Sequence, residues 1–142
     1  MSGDCLGLGV VSDSDARTPL SALDDCATHA SALTNCPSEV LRTALRERED
    51  LGSTRIAPGI HLPHAVLPNL GRSCLVLVRP RDPQPDLRLL IALFVDQGAT
   101  EPVLGAVRRL SRALADDELL EELATAPAHR CVERLKPLMT HP

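Results

Sequence analysis

A chain of 142 residues with 19 acidic and 15 basic side chains has the length of one ordinary domain and a net charge of −4, and it is long enough to bury roughly two-thirds of the surface its unfolded form exposes. Phe94 is the only member of the Phe, Tyr and Trp set, so the stacking platforms of nucleic-acid binders are missing and nucleic acid is not an expected ligand. No apolar run approaches the ~20 residues that span a bilayer, and the start MSGDCLGLGVVSDSD lacks the basic and long apolar parts of a signal peptide, so a cytoplasmic protein without direct membrane insertion is expected.

Along the chain, residues 1–15 read as an N-terminal segment in which VVSDSD is a short edge strand, and residues 16–142 as a single domain. Thr18 suits an N-cap and Pro19 the first helical position, after which Leu20, Leu23, Ala27 and Ala30 mark one face of a helix. Pro37 opens a second helix with Leu41, Ala44, Leu45 and Arg48 on one face, so that a charged residue continues the apolar stripe. The runs SCLVLV (Ser73 to Val78) and LRLLIALFV (Leu87 to Val95) read as buried strands joined through the proline-rich RPRDPQPD. Helical spacing resumes after Pro102 with Val103, Val107, Leu110 and Leu114, and Asp116 caps a further amphipathic run, DELLEELA. A last helix uses Val132, Leu135 and Leu138, and Pro137 limits or bends it. This order predicts an α/β fold, a small mixed β-sheet sandwiched by helices.

The five cysteines form no C-x-x-C pair, which fits neither a zinc site nor a secreted disulfide framework. Cys26, Cys74 and Cys131 fall in apolar surroundings and are expected as reduced core thiols. Arg108, Arg109 and Arg112, like the run DDELLEE, read as solvated helix faces.

The stretch GSTRIAPGIHLPHA, Gly52 to Ala65, follows the second helix directly. A permissive glycine and a stiff proline fix the backbone ahead of His64, so its imidazole is presented rather than mobile, and histidine can act as a nucleophile near neutral pH. Arg48, on the inward side of its helix, needs a carboxylate, carbonyls or an exchangeable anion. A phosphoryl group would satisfy it, because a guanidinium fork matches phosphoryl oxygens, and Ser53 and Thr54 in the following turn could add donors. Spacing alone leaves a second account open, in which Arg48 snorkels to solvent, Ser53 and Thr54 merely make a turn and His64 is a satisfied loop histidine.

At these residues the sequence resembles the enzyme IIA domains of the fructose and mannitol class (EIIA type-2) of the bacterial phosphotransferase system, including their nitrogen-regulatory relatives. The matching positions are Arg48, Glu49, Gly52, Ser53, Thr54, Gly59, Ile60, Pro63 and His64, and a weaker likeness runs from about Ala16 to Leu138. The resemblance implies a mixed sheet sandwiched by helices. It implies that His64 accepts a phosphoryl group from the carrier HPr, with Arg48, Ser53 and Thr54 holding its oxygens. The acceptor it implies is a IIB domain, or a regulated transporter or regulator protein. It implies no metal and no organic cofactor. Two partners must reach His64 in turn, so a shallow apolar surface is expected there, with Ile60, Leu62, Val66 and Leu67 as candidates.

Three departures qualify the resemblance. Val103 stands where the family carries a second histidine that supports the phosphohistidine. His61 replaces a small residue three before the phosphoacceptor, and Arg55 replaces the glycine after Ser-Thr. The segment between His64 and Ser73 is shorter than usual. His61 is a candidate auxiliary group in place of the missing histidine, although residues three apart in an extended segment face opposite ways unless the backbone turns at Pro63. A metal held by His61 and His64 lacks further ligands in the pattern. A IIA-like regulatory binding module that has lost transfer is the main rival, favoured by Val103. A hydrolase built on Ser53, His64 and an aspartate that the pattern does not specify lacks a nucleophile-elbow pattern.

Overall fold

The computed structural model describes residues 6–140, and Cys5 lies outside them. The two long apolar runs become the central strands of one sheet, β5 (Cys74–Pro80) and β6 (Leu89–Asp96). They pair antiparallel, with Val76 opposite Ala92. Both are covered on both faces, which is why they read as continuous apolar runs rather than as an alternation. The expected edge strand is longer than VVSDSD. It begins at Gly7 as β1 (Gly7–Ser14) and runs parallel to β5 in the same sheet. Its register shifts between Val11 and Ser14, where exposed Asp13 takes a φ of 58°; a bulge with a charge blunts an open edge against pairing with another chain.

Beyond β6 lie three short strands that periodicity does not reveal: β2 (Arg55–Ala57), β3 (Ile60–His61) and β4 (His64–Leu67). The sheet order is β1-β5-β6-β3-β2, with β4 also parallel to β6.

Helices cover both faces, as expected. On one side α1 (Pro19–Leu33) and α2 (Ser38–Asp50) pack Leu23, Cys26, Ala27, Leu41 and Leu45 against Val76, Val78 and Phe94. On the other, α3 (Glu101–Ala113), α4 (Asp117–Thr125) and α5 (Ala128–Met139) pack Leu110, Leu120, Leu123 and Leu135 against Leu75, Leu77, Ile91 and Leu93. Thr18 and Ser21 form a reciprocal capping box at α1, and the Asp116 carboxylate accepts the Glu118 N–H at α4, satisfying donors a helix start leaves open. Leu20, expected on the inner face of α1, is instead half exposed, and Ala22 is buried in that turn. Pro137 lies inside α5 near its end, where losing one N–H disturbs only the last turn.

Cys26, Cys36, Cys74 and Cys131 are buried and free. Burial pushes the Cys26 thiol well up and the Cys74 thiol up to about 12, because a thiolate loses hydration there that the Ala92 backbone near Cys26 and the Arg72 charge near Cys74 offset only in part. The arginines of α3 differ from a uniformly solvated face. Arg108 pairs with Glu101, but Arg109 donates from Nε to the Leu138 carbonyl (3.1 Å) and from Nη2 to the Thr140 carbonyl (3.0 Å), satisfying acceptors at the end of α5.

Candidate functional site

Helix α2 is seated by Leu41 and Leu45, which are fully buried one turn apart. Arg48 follows Leu45 by three residues on the same face, in the last turn, and is half-buried. The helix closes immediately afterwards. The Leu51 N–H donates to the Arg48 carbonyl and the Gly52 N–H to the Glu49 carbonyl, both at 3.1 Å, and Gly52 adopts a φ of 144°, an extended glycine conformation with a positive angle. The Arg48 guanidinium makes one weak internal contact, Nη1 to the Gly52 carbonyl at 3.4 Å, and no carboxylate among the described residues pairs with it.

The next residues brace the turn. Exposed Ser53 accepts the Arg55 N–H on Oγ (3.1 Å), while buried Thr54 donates its hydroxyl to Glu49 Oε2 (3.2 Å). Strands β2 and β3 are then joined through Pro58 and Gly59. Gly59 has a φ of 73°, and a Cβ there would lie 2.8 Å from the Arg88 stem and 3.0 Å from the Pro85 carbonyl, so both backbone angle and space require glycine. After two residues of β3 the ladder is interrupted. The Leu62 N–H turns to the Thr54 carbonyl (2.9 Å), Pro63 has no N–H, and pairing with β6 resumes when the Pro63 carbonyl accepts from Leu93 (3.0 Å).

His64 is the first residue of β4. It is exposed, with Ala65 and Leu67 turned into the first core and Val66 outward. Together with Ala65 and Val66 it lines an open depression of about 690 Å³ whose other wall is α2, through Ala44, Glu47, Arg48, Asp50 and Leu51. Arg48 and His64, paired from the sequence, are therefore brought to one surface. No hydrogen bond or ion pair engages the His64 imidazole among the described residues. An imidazole without a hydrogen bond, on the same depression as a guanidinium that neither Glu47 nor Asp50 pairs with, can receive an anionic electrophile: the ring nitrogen supplies an electron pair and the cation stabilises charge on the oxygens.

Ser53 and Thr54 do not line the depression, and the Thr54 proton is committed to Glu49. His61 does not line it either. In the parallel ladder His61 sits beside Leu90 and His64 beside Leu93, an odd separation that sends the two side chains to opposite faces. The His61 ring is buried, with Nε2 2.7 Å from the Asp86 carbonyl. Val103 is half-buried against the second core.

The apolar surface differs from expectation at two of four positions. Ile60 and Leu67 are buried, because β3 and β4 turn them into the cores, whereas Val66 is 61% exposed as expected. Leu51, 84% exposed, and Ile56, 44% exposed, add apolar surface that sequence reasoning missed. Their signal was an apolar residue on each side of the polar Gly-Ser-Thr-Arg turn, where neither can reach a core.

Comparisons with known proteins bear on the family and the fold. The family described as "Phosphoenolpyruvate-dependent sugar phosphotransferase system, EIIA 2" matches residues 9–135. A nitrogen regulatory protein of Bradyrhizobium diazoefficiens is 30% identical over 110 residues, covering 72% of this chain and 71% of that protein. Among solved structures, nitrogen regulatory protein IIA-Ntr from Neisseria meningitidis superposes with a TM-score of 0.72 at 20% identity, over 94% of this chain and 96% of that one. IIA mannitol from Escherichia coli gives 0.66 at 19% identity, over 89% and 95% of the two chains. A structure of Escherichia coli enzyme IIA mannitol in complex with phosphorylated enzyme IIB mannitol gives 0.61 at 18% identity, over 89% and 93%.

Proposed function

Because the chain belongs to the EIIA type-2 family of the phosphoenolpyruvate-dependent sugar phosphotransferase system, we propose that it is a cytoplasmic histidine phosphocarrier with His64 as its acceptor. The observation that carries this reading is the meeting of His64 and Arg48 in one open depression. In the forward step, a bare ring nitrogen of His64 attacks the phosphorus of a phosphohistidine on an HPr-like carrier. The new P–N bond forms as the old one breaks, and the carrier's imidazole leaves with the electron pair of the broken bond. The bond type is the same before and after, so catalysis rests on positioning and on charge stabilisation.

Arg48 supplies the charge. Its guanidinium exchanges the long contact with Gly52 for phosphoryl oxygens, with little internal bonding to give up. Ser53 stands outside the depression itself, in the turn next to it, and uses its oxygen to accept from Arg55, which leaves its proton for a phosphoryl oxygen that projects beyond the depression's rim. Thr54 contributes indirectly, by holding Glu49 and the turn in place. The reverse chemistry delivers the group to a IIB domain, or the phosphorylated state itself signals to a regulated transporter or regulator protein. The IIA mannitol relative captured with a phosphorylated IIB mannitol supports the first acceptor, and the nitrogen regulatory relatives support the second. The step requires neither metal nor organic cofactor.

A second reading, a regulatory module that binds partners without transferring phosphate, is favoured by Val103, an apolar side chain packed against the second core. Intact mass after incubation with phosphoenolpyruvate, enzyme I and HPr separates the two. A single acid-labile phosphoryl gain that His64→Ala abolishes establishes the carrier. No gain while HPr itself is phosphorylated supports the binding module, and a gain that persists in His64→Ala removes the site assignment.

A further inference from the structure

We propose that His61 is a positioning residue for His64, acting through a side-chain bond that locks the presenting strand to the loop before β6. The proposal rests on the phosphocarrier reading for its functional meaning and on three observations for its geometry.

First, the backbone that delivers His64 is held on its upstream side by short pairings alone, two residues of β3 against β6 on one edge and two, Ile60 and His61, against Ala57 and Arg55 of β2 on the other. Strand β3 has only two residues in register with β6, and the ladder then lapses at Leu62 and Pro63 before His64 begins β4. A two-residue pairing is well below the length at which a strand holds itself.

Second, His61 lies at the end of that short pairing, three residues before the acceptor, and adds a bond the ladder does not supply. Nε2 is 2.7 Å from the Asp86 carbonyl. A carbonyl only accepts, so Nε2 carries the proton and donates. The ring is buried, and Nδ1 has no partner among the described residues, so the interaction fixes both the tautomer and the ring's orientation.

Third, the anchor is itself rigid. The loop bonds back on itself between Gln84 and Leu87 in both directions, at 2.9 and 3.0 Å. Its exit donates two N–H groups, from Arg88 and Leu89, to the Gly59 carbonyl at 2.7 and 3.2 Å. The Arg88 side chain pairs with Glu121 of α4. His61 thus closes a clamp from Gly59 to His61 whose other jaw is the loop from Asp86 to Leu89. A burial role alone would be met by an apolar side chain and leaves the donated bond unexplained, since a buried polar ring costs stability unless its hydrogen bond is made.

The test compares His61→Leu, which fills the space without a donor, with His61→Gln, whose amide nitrogen can take the place of Nε2. Two readouts are used. The first requires no partner: the ¹⁵N order parameter of the His64 amide, and the His61 ring-nitrogen shifts of the wild-type protein. An Nε2–H tautomer is expected, with a His64 amide that loosens in His61→Leu and recovers in His61→Gln. An Nδ1–H tautomer, or a His64 amide equally rigid in both variants, overturns the proposal. The second is the rate of phosphoryl gain from phosphorylated HPr. A fall of about 10- to 100-fold in kcat with KM nearly unchanged is expected in His61→Leu, the scale of a misplaced reacting group, with His61→Gln within about threefold of wild type. Equal kcat in all three proteins overturns it, as does equal impairment of both variants. If wild type gains no phosphoryl group, the phosphocarrier reading fails, while the NMR readout still decides the clamp. If His61→Leu does not fold, the wild-type tautomer and the His61→Gln amide decide it.

Discussion

Arg48→Ala separates the two accounts of the guanidinium more sharply than any change at His64. The side chain is half-buried and its one hydrogen bond among the described residues, at 3.4 Å, lies at the weak limit of hydrogen bonding. It has no ion pair among the described residues to lose, and alanine is a better helix former than arginine in the last turn of α2. The expected change in folding stability is therefore no more than about 0.5 kcal/mol, the ordinary range for a surface substitution. Its effect on transfer should be far larger. Removing one preorganised donor to developing oxyanion charge costs about 10²- to 10³-fold in rate, or roughly 2.7–4 kcal/mol of barrier. The assay pairs urea denaturation with the initial rate of phosphoryl gain from phosphorylated HPr, followed by intact mass. A rate within about threefold of wild type would refute the stabilising role. A loss of several kcal/mol in stability would show instead that Arg48 is a structural element whose partners the unphosphorylated geometry conceals.

Other substitutions test the braces and the cores. Thr54→Val deletes the hydroxyl that Glu49 accepts and should lower stability by about 1 kcal/mol, with transfer slowed much less than in Arg48→Ala because its part is indirect; a hundredfold slower transfer with unchanged stability would make Thr54 a phosphoryl ligand. Leu45→Ala opens a cavity in a fully buried position and should cost about 2–5 kcal/mol by denaturant titration; less than about 1 kcal/mol would mean that α2 is not seated as described. Cys26, Cys74 and Cys131 should resist iodoacetamide in the folded chain and label once it unfolds, with their positions mapped by peptide mass. The raised thiol pKa of Cys74 also sets a pH dependence: its folded-state value of about 12 lies above the ordinary 9.0, so the unfolded chain releases that proton first. Its contribution to stability is full below pH 9 and declines as pH rises from 9 toward 12, and a Cys74→Ala variant should lose stability less steeply over that range.

The sequence exposed the large elements through strong periodic signals. Pro19 and Pro102 open helices, Leu41 and Leu45 define an inner face, and the two apolar runs become the central strands. The small strands escaped because β2, β3 and β4 have three, two and four residues, too few for an alternation to register. The same brevity explains the misplaced surface at Ile60 and Leu67: without the register against β6, no local rule says which residues of Ile60 to Leu67 turn inward. Arg109 was misread for a different reason. Its partners are carbonyls at the end of α5, and a long-range bond to backbone leaves no mark in either sequence segment. That Arg48 and His64 reach one surface was legible through the family resemblance, since the local features alone, a charge that continues a helix stripe and a histidine held behind proline, left the snorkelling arginine and the loop histidine open.

Helix α2 joins core and site through a single periodicity. Leu41, Leu45 and Arg48 share one face, and the first two are pinned beneath the sheet's first helix layer. The position of the guanidinium relative to His64 is therefore set by packing that lies outside the depression, while β4 is set by its ladder with β6. Two elements packed into the same core, α2 through Leu41 and Leu45 and β4 through Ala65 and Leu67, thus meet at the depression, and neither acceptor nor guanidinium contributes much to the fold that places it. This arrangement lets the pair face solvent and still be preorganised. It also means that damage to Leu45 should reach chemistry through stability, whereas damage to Arg48 or His64 should reach chemistry alone. A chain in which these two classes of variant gave the same profile of rate against stability would not be organised in this way.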